Sequence, residues 1–203
     1  ENNPYWPENL AAAAGKLVGE LSFPGKTLFV NSGTEANEAA LKLARAHGQS
    51  ISPDIYEIIS FEGSFHGLTF GGMSATAQEK IRRGFGPLVP GFTFLPFNDL
   101  SAAVREIERN GRVCAVITEL IQGEGGIRID DRDSIKKLSA MCAKRDILVI
   151  IDEVQTGLGR TGAMLGQMHY FDGGVEADFI ALAKSISGGQ EVASAVLARP
   201  EYA

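Results

Sequence analysis

Lys184 lies 32 residues beyond Asp152, and each residue follows a short apolar run. Asp152 ends Ile147-Leu-Val-Ile-Ile151, and Lys184 closes Phe179-Ile-Ala-Leu-Ala183. A carboxylate at the mouth of one buried strand and an amine at the end of the next suit one chemistry in particular. The amine condenses with an aldehyde to a Schiff base. The carboxylate keeps a pyridine nitrogen protonated, so the ring takes up carbanion electrons. This is the division of labour in pyridoxal phosphate enzymes. Each residue alone also has an ordinary reading. Asp152, desolvated at a strand end, needs a cationic partner, and an arginine would serve as well as a pyridinium. Asp152 and Glu153 could instead hold magnesium, as at the end of a Walker B strand, although no lysine-bearing phosphate loop precedes them. Most lysines snorkel to solvent; Lys184, followed by Ser-Ile-Ser-Gly-Gly, is read here as a desolvated amine of lowered pKa.

Other candidates also follow apolar runs. Asn31-Ser-Gly-Thr-Glu-Ala-Asn-Glu38 opens a helix, and Gly33 lets backbone approach a ligand. The free N–H groups of such a helix start would hold a phosphate dianion, whereas the plainer reading is an N-cap by Ser32 or Thr34. In Phe65-His66-Gly67 the aromatic could stack on a flat heterocycle with His66 in support; a core Phe and a hydrogen-bonded His are the commoner fates. Glu119 and Glu124 bracket Leu-Ile-Gln-Gly, which invites a two-carboxylate glycosidase reading, against solvated loop acids as the alternative.

The elements that must carry these residues alternate. Strands are expected at 27–30, 57–61, 92–97, 113–119, 147–151, 179–182 and 192–197, and helices at 34–46, 100–110 and 134–145. On the first helix, Ala36, Ala39, Ala40, Leu43 and Ala44 are spaced for one small-residue face. Strand–helix alternation predicts an α/β fold with a mostly parallel sheet, and ligands in such sheets bind beyond the carboxyl ends of the strands. Asn31–Thr34, Ser64–His66, Glu119, Asp152 and Lys184 all fall at those ends. The 203 residues suffice for one large domain or two small ones. A net charge of −6 argues against a general nucleic-acid binder, and no apolar run reaches the ~20 residues of a membrane helix. The start, Glu1-Asn-Asn-Pro-Tyr-Trp-Pro7, lacks the features of a signal peptide. Cys114 and Cys142 sit in apolar stretches with no zinc-ligand spacing, so buried reduced thiols in a cytosolic protein are expected.

Taken together these stretches resemble the class III, pyridoxal-phosphate-dependent aminotransferases of fold type I, nearest the acetylornithine/ornithine branch. The stretches that carry the resemblance are Asn31–Arg45, Ser64-Phe-His-Gly67, Gly84-Phe-Gly-Pro-Leu-Val-Pro-Gly-Phe92, Ile121-Gln-Gly-Glu-Gly-Gly126, Asp152-Glu-Val-Gln-Thr-Gly-Leu-Gly-Arg-Thr-Gly162 and Leu182-Ala-Lys184. The resemblance implies a three-layer α/β/α large domain with a mostly parallel seven-stranded sheet, a homodimer and a cytoplasmic enzyme. It implies pyridoxal 5′-phosphate as cofactor. Gly33 and Thr34 would hold its phosphate, Phe65 would stack on the ring and Val154 would pack on the other face. Asp152 would pair with the ring nitrogen, Gln155 would reach the ring hydroxyl and Lys184 would carry the Schiff base. Glu124 looks like the family's gate acid. The implied reaction moves an amino group from an amino acid or ω-amine to a 2-oxo acid such as 2-oxoglutarate. An ω-amino acid aminotransferase, an aminomutase and a non-catalytic cofactor-binding fragment are the alternatives. Three departures accompany the match. The family's chains are about twice as long, so residues 1–203 are expected to be the large domain without an N-terminal segment or small domain. Leu68 stands where the acetylornithine branch has a substrate-binding arginine. Thr118-Glu119-Leu120 and Ser185-Ile-Ser-Gly-Gly-Gln190 replace the usual Glu-Pro and Gly-rich patterns.

Overall fold

The computed structural model describes residues 8–21, 23–172, 177–188 and 192–203, with side chains from residue 11 onward. The segment 1–7 and residues Gly189 and Gln190, both read above, lie outside the described residues. Among the described residues nine strands run in chain order: β1 (Lys26–Val30), β2 (Glu57–Phe61), β3 (Phe92–Leu95), β4 (Val113–Thr118), β5 (Ile121–Gln122), β6 (Arg128–Ile129), β7 (Leu148–Asp152), β8 (Phe179–Leu182) and β9 (Ser194–Ala198). The helices are α1 (Glu8–Gly19), α2 (Gly33–Ile51), α3 (Phe70–Ala75), α4 (Glu79–Arg82), α5 (Leu100–Arg109) and α6 (Arg132–Lys144).

Seven strands form one sheet in the order β1-β9-β8-β7-β4-β2-β3, and β5 and β6 pair as a separate hairpin. The pairs β2·β3, β2·β4, β4·β7 and β7·β8 are parallel, and β9 runs antiparallel to both its neighbours. Chain length accounts for the exception. A parallel return needs a crossover of about a dozen residues or more, usually helical. The connection 183–193 is shorter than that, and its described residues hold a single turn of 3-10 helix at Lys184–Ser187.

Burial on both faces of the sheet makes a three-layer α/β/α stack. Ile59, Val116, Val149, Ile151, Ile180 and Leu182 point to one side, against Ala103 and Ile107 of α5 and Ile135, Leu138 and Cys142 of α6. Their chain neighbours Ile58, Ala115, Ile117, Leu148, Ile150 and Ala181 point to the other side, against α2. Each of β2, β4, β7 and β8 is buried at every position, which explains apolar runs without polar alternation. Cys114 and Cys142 are free and buried, and burial pushes both thiols up to about 12. No helix among the described residues is long and apolar enough to cross a membrane.

Element types and order match the sequence reading, and the differences are instructive. Helix α2 runs to Ile51, and its buried stripe is Ala36, Asn37, Ala40, Leu41, Ala44 and Gly48. Ala39 and Leu43, expected on that face, are only partly buried at its border. The i, i+4 row Ala36, Ala40, Ala44, Gly48 brings the helix axis close to the sheet. A Cβ on Gly48 would stand 2.5 Å from the Ile55 carbonyl and 2.6 Å from Cys114 Cβ. Strand β3 stops at Leu95, one residue short of Pro96, because proline restricts its predecessor and donates no ladder hydrogen bond. Four short elements, α3, α4 and the two-residue strands β5 and β6, have too few residues to show a period. Helix α1 is longer, and its signal, the alanine run 11–14, belongs to propensity rather than periodicity.

Gly48→Ala therefore destabilises the protein by ~1–3 kcal/mol through overpacking, although alanine is the better helix former. Gly15→Ala in α1, where a Cβ meets nothing within 4 Å, stabilises it by ~0.5–1 kcal/mol. Denaturant unfolding of the two variants measures both, and equal effects would contradict the close approach of α2 to the sheet.

Candidate functional site

The carboxyl ends of the parallel strands open into one cavity of about 430 Å³. The segments that follow β1, β2, β4, β7 and β8 all reach it, through Gly33 and Thr34, Phe65 and His66, Glu119, Asp152 to Gln155, and Lys184. In the register of the sheet, Asp152 lies opposite Ala181 of β8, so Lys184 arrives three residues further along the neighbouring strand. Of the residues singled out by sequence, Gly33, Thr34, Phe65, Asp152, Val154, Gln155 and Lys184 line this cavity. Glu124 does not line it. It is exposed in the turn between β5 and β6, and it reaches Lys184 only as a second negative charge after Asp152.

Asp152 is 5% exposed, and both of its carboxylate oxygens have partners. Its Oδ2 accepts from Asn37 Nδ2 at 2.7 Å and lies 2.9 Å from His66 Nδ1, and its Oδ1 accepts from Val154 N at 3.0 Å. The partners are themselves fixed. Asn37 Nδ2 also donates to the His66 carbonyl at 3.0 Å, and His66 N donates to Thr76 Oγ1 at 2.9 Å. The acid's protein partners are thus a buried amide, an imidazole and a backbone N–H; the arginine of the ordinary reading is not among them. Glu153 turns the other way. Its carboxylate accepts from Thr156 Oγ1, Gly166 N and Gln167 N at 2.7–2.8 Å, so it is spent on the 153–167 loop and cannot share a magnesium ion with Asp152.

Lys184 has a left-handed backbone, φ 48°, which costs an L-residue ~1–2 kcal/mol. Its amine is lowered from the ordinary lysine value by desolvation, against the opposing pull of Asp152 and then Glu124. Arg160, whose guanidinium donates to Ser185 Oγ at 2.8 Å, lowers it further. Glu119 corrects the sequence reading. It is no solvated loop acid: it is 5% exposed, and its Oε2 accepts from Phe65 N at 3.0 Å. Burial, together with the Asp152 charge and against the pull of His66, pushes its carboxyl up to about 7. With Glu124 outside the cavity, the two do not form a glycosidase pair.

The start of α2 satisfies both sequence readings at once. Ser32 caps, its Oγ accepting from Glu35 N at 3.3 Å, and Ser32 O takes Ala36 N. That leaves the N–H groups of Gly33 and Thr34 without a partner among the described residues, at the positive end of a 19-residue helix that borders the cavity. A Cβ on Gly33 would lie 2.9 Å from both Val154 methyls and 3.2 Å from Ala183 Cβ, so only glycine fits between them. Thr34 Oγ1 is occupied by the 66–69 loop, accepting from Leu68 N at 3.2 Å and sharing a 3.0 Å bond with Thr69 Oγ1. Gly67 makes that approach possible: its φ is +123°, and a Cβ there would fall 2.0 Å from Thr34 Oγ1. The Gln155 amide lies against Gly123, where a Cβ would stand 1.8 Å from Gln155 Oε1.

The profile described as aminotransferase class-III matches residues 3–203. The chain belongs to the class-III aminotransferases. The cofactor of this family is pyridoxal phosphate. Among curated relatives, the acetylornithine aminotransferase of Caldanaerobacter subterraneus subsp. tengcongensis is 44% identical over 203 residues, all of this chain and 50% of that protein. The acetylornithine aminotransferase of Aquifex aeolicus is 45% identical over 201 residues, 99% of this chain and 51% of that one. Among solved structures, an ornithine aminotransferase from Toxoplasma gondii superposes with a TM-score of 0.89 at 31% identity, over 100% of this chain and 47% of that one. An (S)-enantioselective omega-transaminase from Thermomicrobium roseum gives 0.88 at 30% identity, over 97% and 48%. The class-III chain described here thus spans about half the length of these relatives.

Two residues of this aminotransferase cavity received less weight in the sequence than their geometry warrants. His66, given either a supporting role beside a stacking Phe65 or the plainer part of a hydrogen-bonded histidine, takes the latter, and its partner is Asp152. Asn37 was quoted within a motif without a role, though a polar residue inside the alanine row of α2 is itself a signal. The electrostatics give a prediction. Asp152→Asn removes the largest influence that raises the Lys184 amine, so its pKa falls further below the ordinary lysine value. NMR titration of the ¹³C-methylated lysine measures the shift, and an unchanged or raised value would contradict the coupling.

Proposed function

We propose that residues 1–203 form a single cofactor-binding large domain of an aminotransferase. The amino donor is an amino acid or ω-amine of the acetylornithine/ornithine type, and the acceptor is a 2-oxo acid such as 2-oxoglutarate. The observation that carries this reading is that Asp152, at the end of β7, and Lys184, two residues past the adjacent parallel strand β8, open into one cavity beside two helix-start N–H groups without a partner among the described residues. These residues suit pyridoxal phosphate on their own chemistry. The N–H groups of Gly33 and Thr34 would donate to the phosphate dianion. Asp152 has accepted three hydrogen bonds, and a carboxylate offers about four acceptor positions, so one remains for a pyridinium N–H. Phe65 and Val154 would pack on the ring, and Gln155 would reach its hydroxyl.

When bound, the cofactor supplies an aldehyde carbon and a ring that accepts electrons from the substrate α-carbon. The protein's part is to hold and to move protons. Desolvation keeps a larger share of Lys184 Nζ uncharged, which makes it a nucleophile and then a base that takes and returns the α-proton. Asn37, His66 and the Val154 N–H hold Asp152 in position, so it would meet a pyridinium nitrogen without having to reorganise. Glu124 is proposed as the gate acid, in keeping with its exposed turn and its electrostatic reach to Lys184. A homodimeric, cytoplasmic protein is part of the same proposal and rests on the family resemblance.

Lys184→Ala abolishes the absorption band at the violet edge of the visible that the wild-type chain gains with pyridoxal phosphate. A variant that keeps the band would refute the assignment of Lys184.

A second reading concerns the donor. Leu68 is 65% exposed and lines the cavity, where an arginine would offer a carboxylate two hydrogen bonds. An apolar side chain there favours a donor whose distal end carries no carboxylate, as in ω-amines. Leu68→Arg should shift the preference, measured as kcat/KM of the protein carrying its full-length complement, roughly tenfold or more toward carboxylate-bearing donors. An unchanged preference would remove Leu68 from substrate choice.

A further inference from the structure

We infer that Glu119 is a positioning residue of the cofactor site: its buried carboxyl clasps the backbone N–H groups of Phe65 and Gly123, and so sets the Phe65 ring and the Gln155 amide around the cavity while its charge acts on Lys184. The inference rests on the cofactor reading above for its purpose, but not for the clasp itself.

The clasp links segments distant in sequence. Glu119 follows β4, and its Oε2 accepts from Phe65 N, just past the end of β2, at 3.0 Å. The Gly123 N–H, in the turn of the β5–β6 hairpin, is the second backbone group that acts on the carboxyl, stabilising its charged form. Both N–H groups belong to residues that border the cavity directly or through one contact. Phe65 lines it, and Gly123 backs the Gln155 amide so closely that no side chain fits between them. The Phe65–His66 pair is thereby tied at both ends. Its first backbone N–H is held by Glu119, and its imidazole is held by Asp152. Losing the acceptor would free the Phe65 end of this pair, while the His66–Asp152 contact would still hold the other end.

Three charged or titratable groups face Glu119: His66 from the segment after β2, Asp152 from the end of β7 and Lys184 from the segment after β8. Asp152 and Glu119 share one desolvated region, where two negative charges are costly, and burial and the Asp152 charge both raise the Glu119 carboxyl. With its carboxyl at about 7, Glu119 changes charge near neutrality. As a carboxylate it accepts the Phe65 N–H through a charge-assisted bond, attracts the Gly123 N–H and raises the Lys184 amine. Once protonated, it holds the loops by weaker neutral bonds, and that pull on Lys184 is gone. Cofactor grip and amine proton affinity therefore weaken together as pH falls.

The test separates the clasp from the cofactor. In the cofactor-free 203-residue chain labelled with ¹⁵N, the amide signals of Phe65 and Gly123 should move with pH at a shared midpoint near 7. Glu119→Gln keeps the shape and one acceptor but cannot ionise, so both amides should stop moving in that variant. In the cofactor-loaded protein, Glu119→Gln should lower the pH midpoint of the visible absorption band, because one negative charge near Lys184 is gone. Glu119→Leu, which removes the acceptor as well, should weaken pyridoxal phosphate binding about tenfold. Should Glu119→Leu fail to fold, the Gln variant decides by itself. Amides that do not titrate in the wild type, that titrate at separate midpoints, or that still titrate in Glu119→Gln would overturn the clasp. Titrating amides in a wild-type chain that gains no visible band would uphold the clasp and overturn the aminotransferase reading.

Discussion

A negative charge kept out of water organises this protein. Asp152 is 5% exposed at the end of a strand buried at every position, and desolvating a carboxylate costs several kcal/mol. The offset comes from three donors on three parts of the chain: the second turn of α2, the segment after β2 and the backbone two residues on. Each charge-assisted bond contributes ~1.5–3 kcal/mol. Moving any of these segments would expose or orphan the acid. The elements around Asp152 are therefore held more strictly than apolar packing alone would hold them. No arginine is among the groups that satisfy this acid, which leaves it open to a cationic ligand.

Small residues bring the elements close enough to make those bonds. The row Ala36, Ala40, Ala44, Gly48 lets α2 lie against the sheet, which delivers Asn37 to Asp152 and the helix start to the cavity. Gly33 fits between Val154 and Ala183, and Gly67 lets Thr34 reach the 66–69 loop. The glycines after strands are thus sites of close approach, and the three contacts converge on one cavity. Charge completes the arrangement. Glu119, Asp152, His66 and Lys184 act on one another across it, with desolvation lowering the amine and raising the Glu119 carboxyl.

The differences between sequence and structure fall where local pattern carries no information. The fully buried strands were legible because both of their faces must be apolar, and β2 and β8 begin and end where the sequence places them. The short elements α3, α4, β5 and β6 were not, because four to six residues, or two, cannot display a period. Glu119 and His66 were visible as residue types, but burial and partners are tertiary properties. A glutamate after a strand looks the same whether it faces water or a neighbouring backbone N–H. Asn37 left a fainter trace, a single polar residue in a row of alanines.

Sequence alone determined the α/β alternation, the strand ends at which chemistry collects, and the lysine and aspartate suited to it. These follow from hydrophobic period and residue type, which are written along the chain. Tertiary structure decided the antiparallel course of β9, the side of the sheet on which α2 packs, and the separation of Glu153 from Asp152. It also decided that Glu119 is buried while Glu124 stays outside the cavity. Those outcomes depend on which distant segments meet. A hydrogen bond such as Asn37 to Asp152, across 115 residues, is specified only once the sheet has formed.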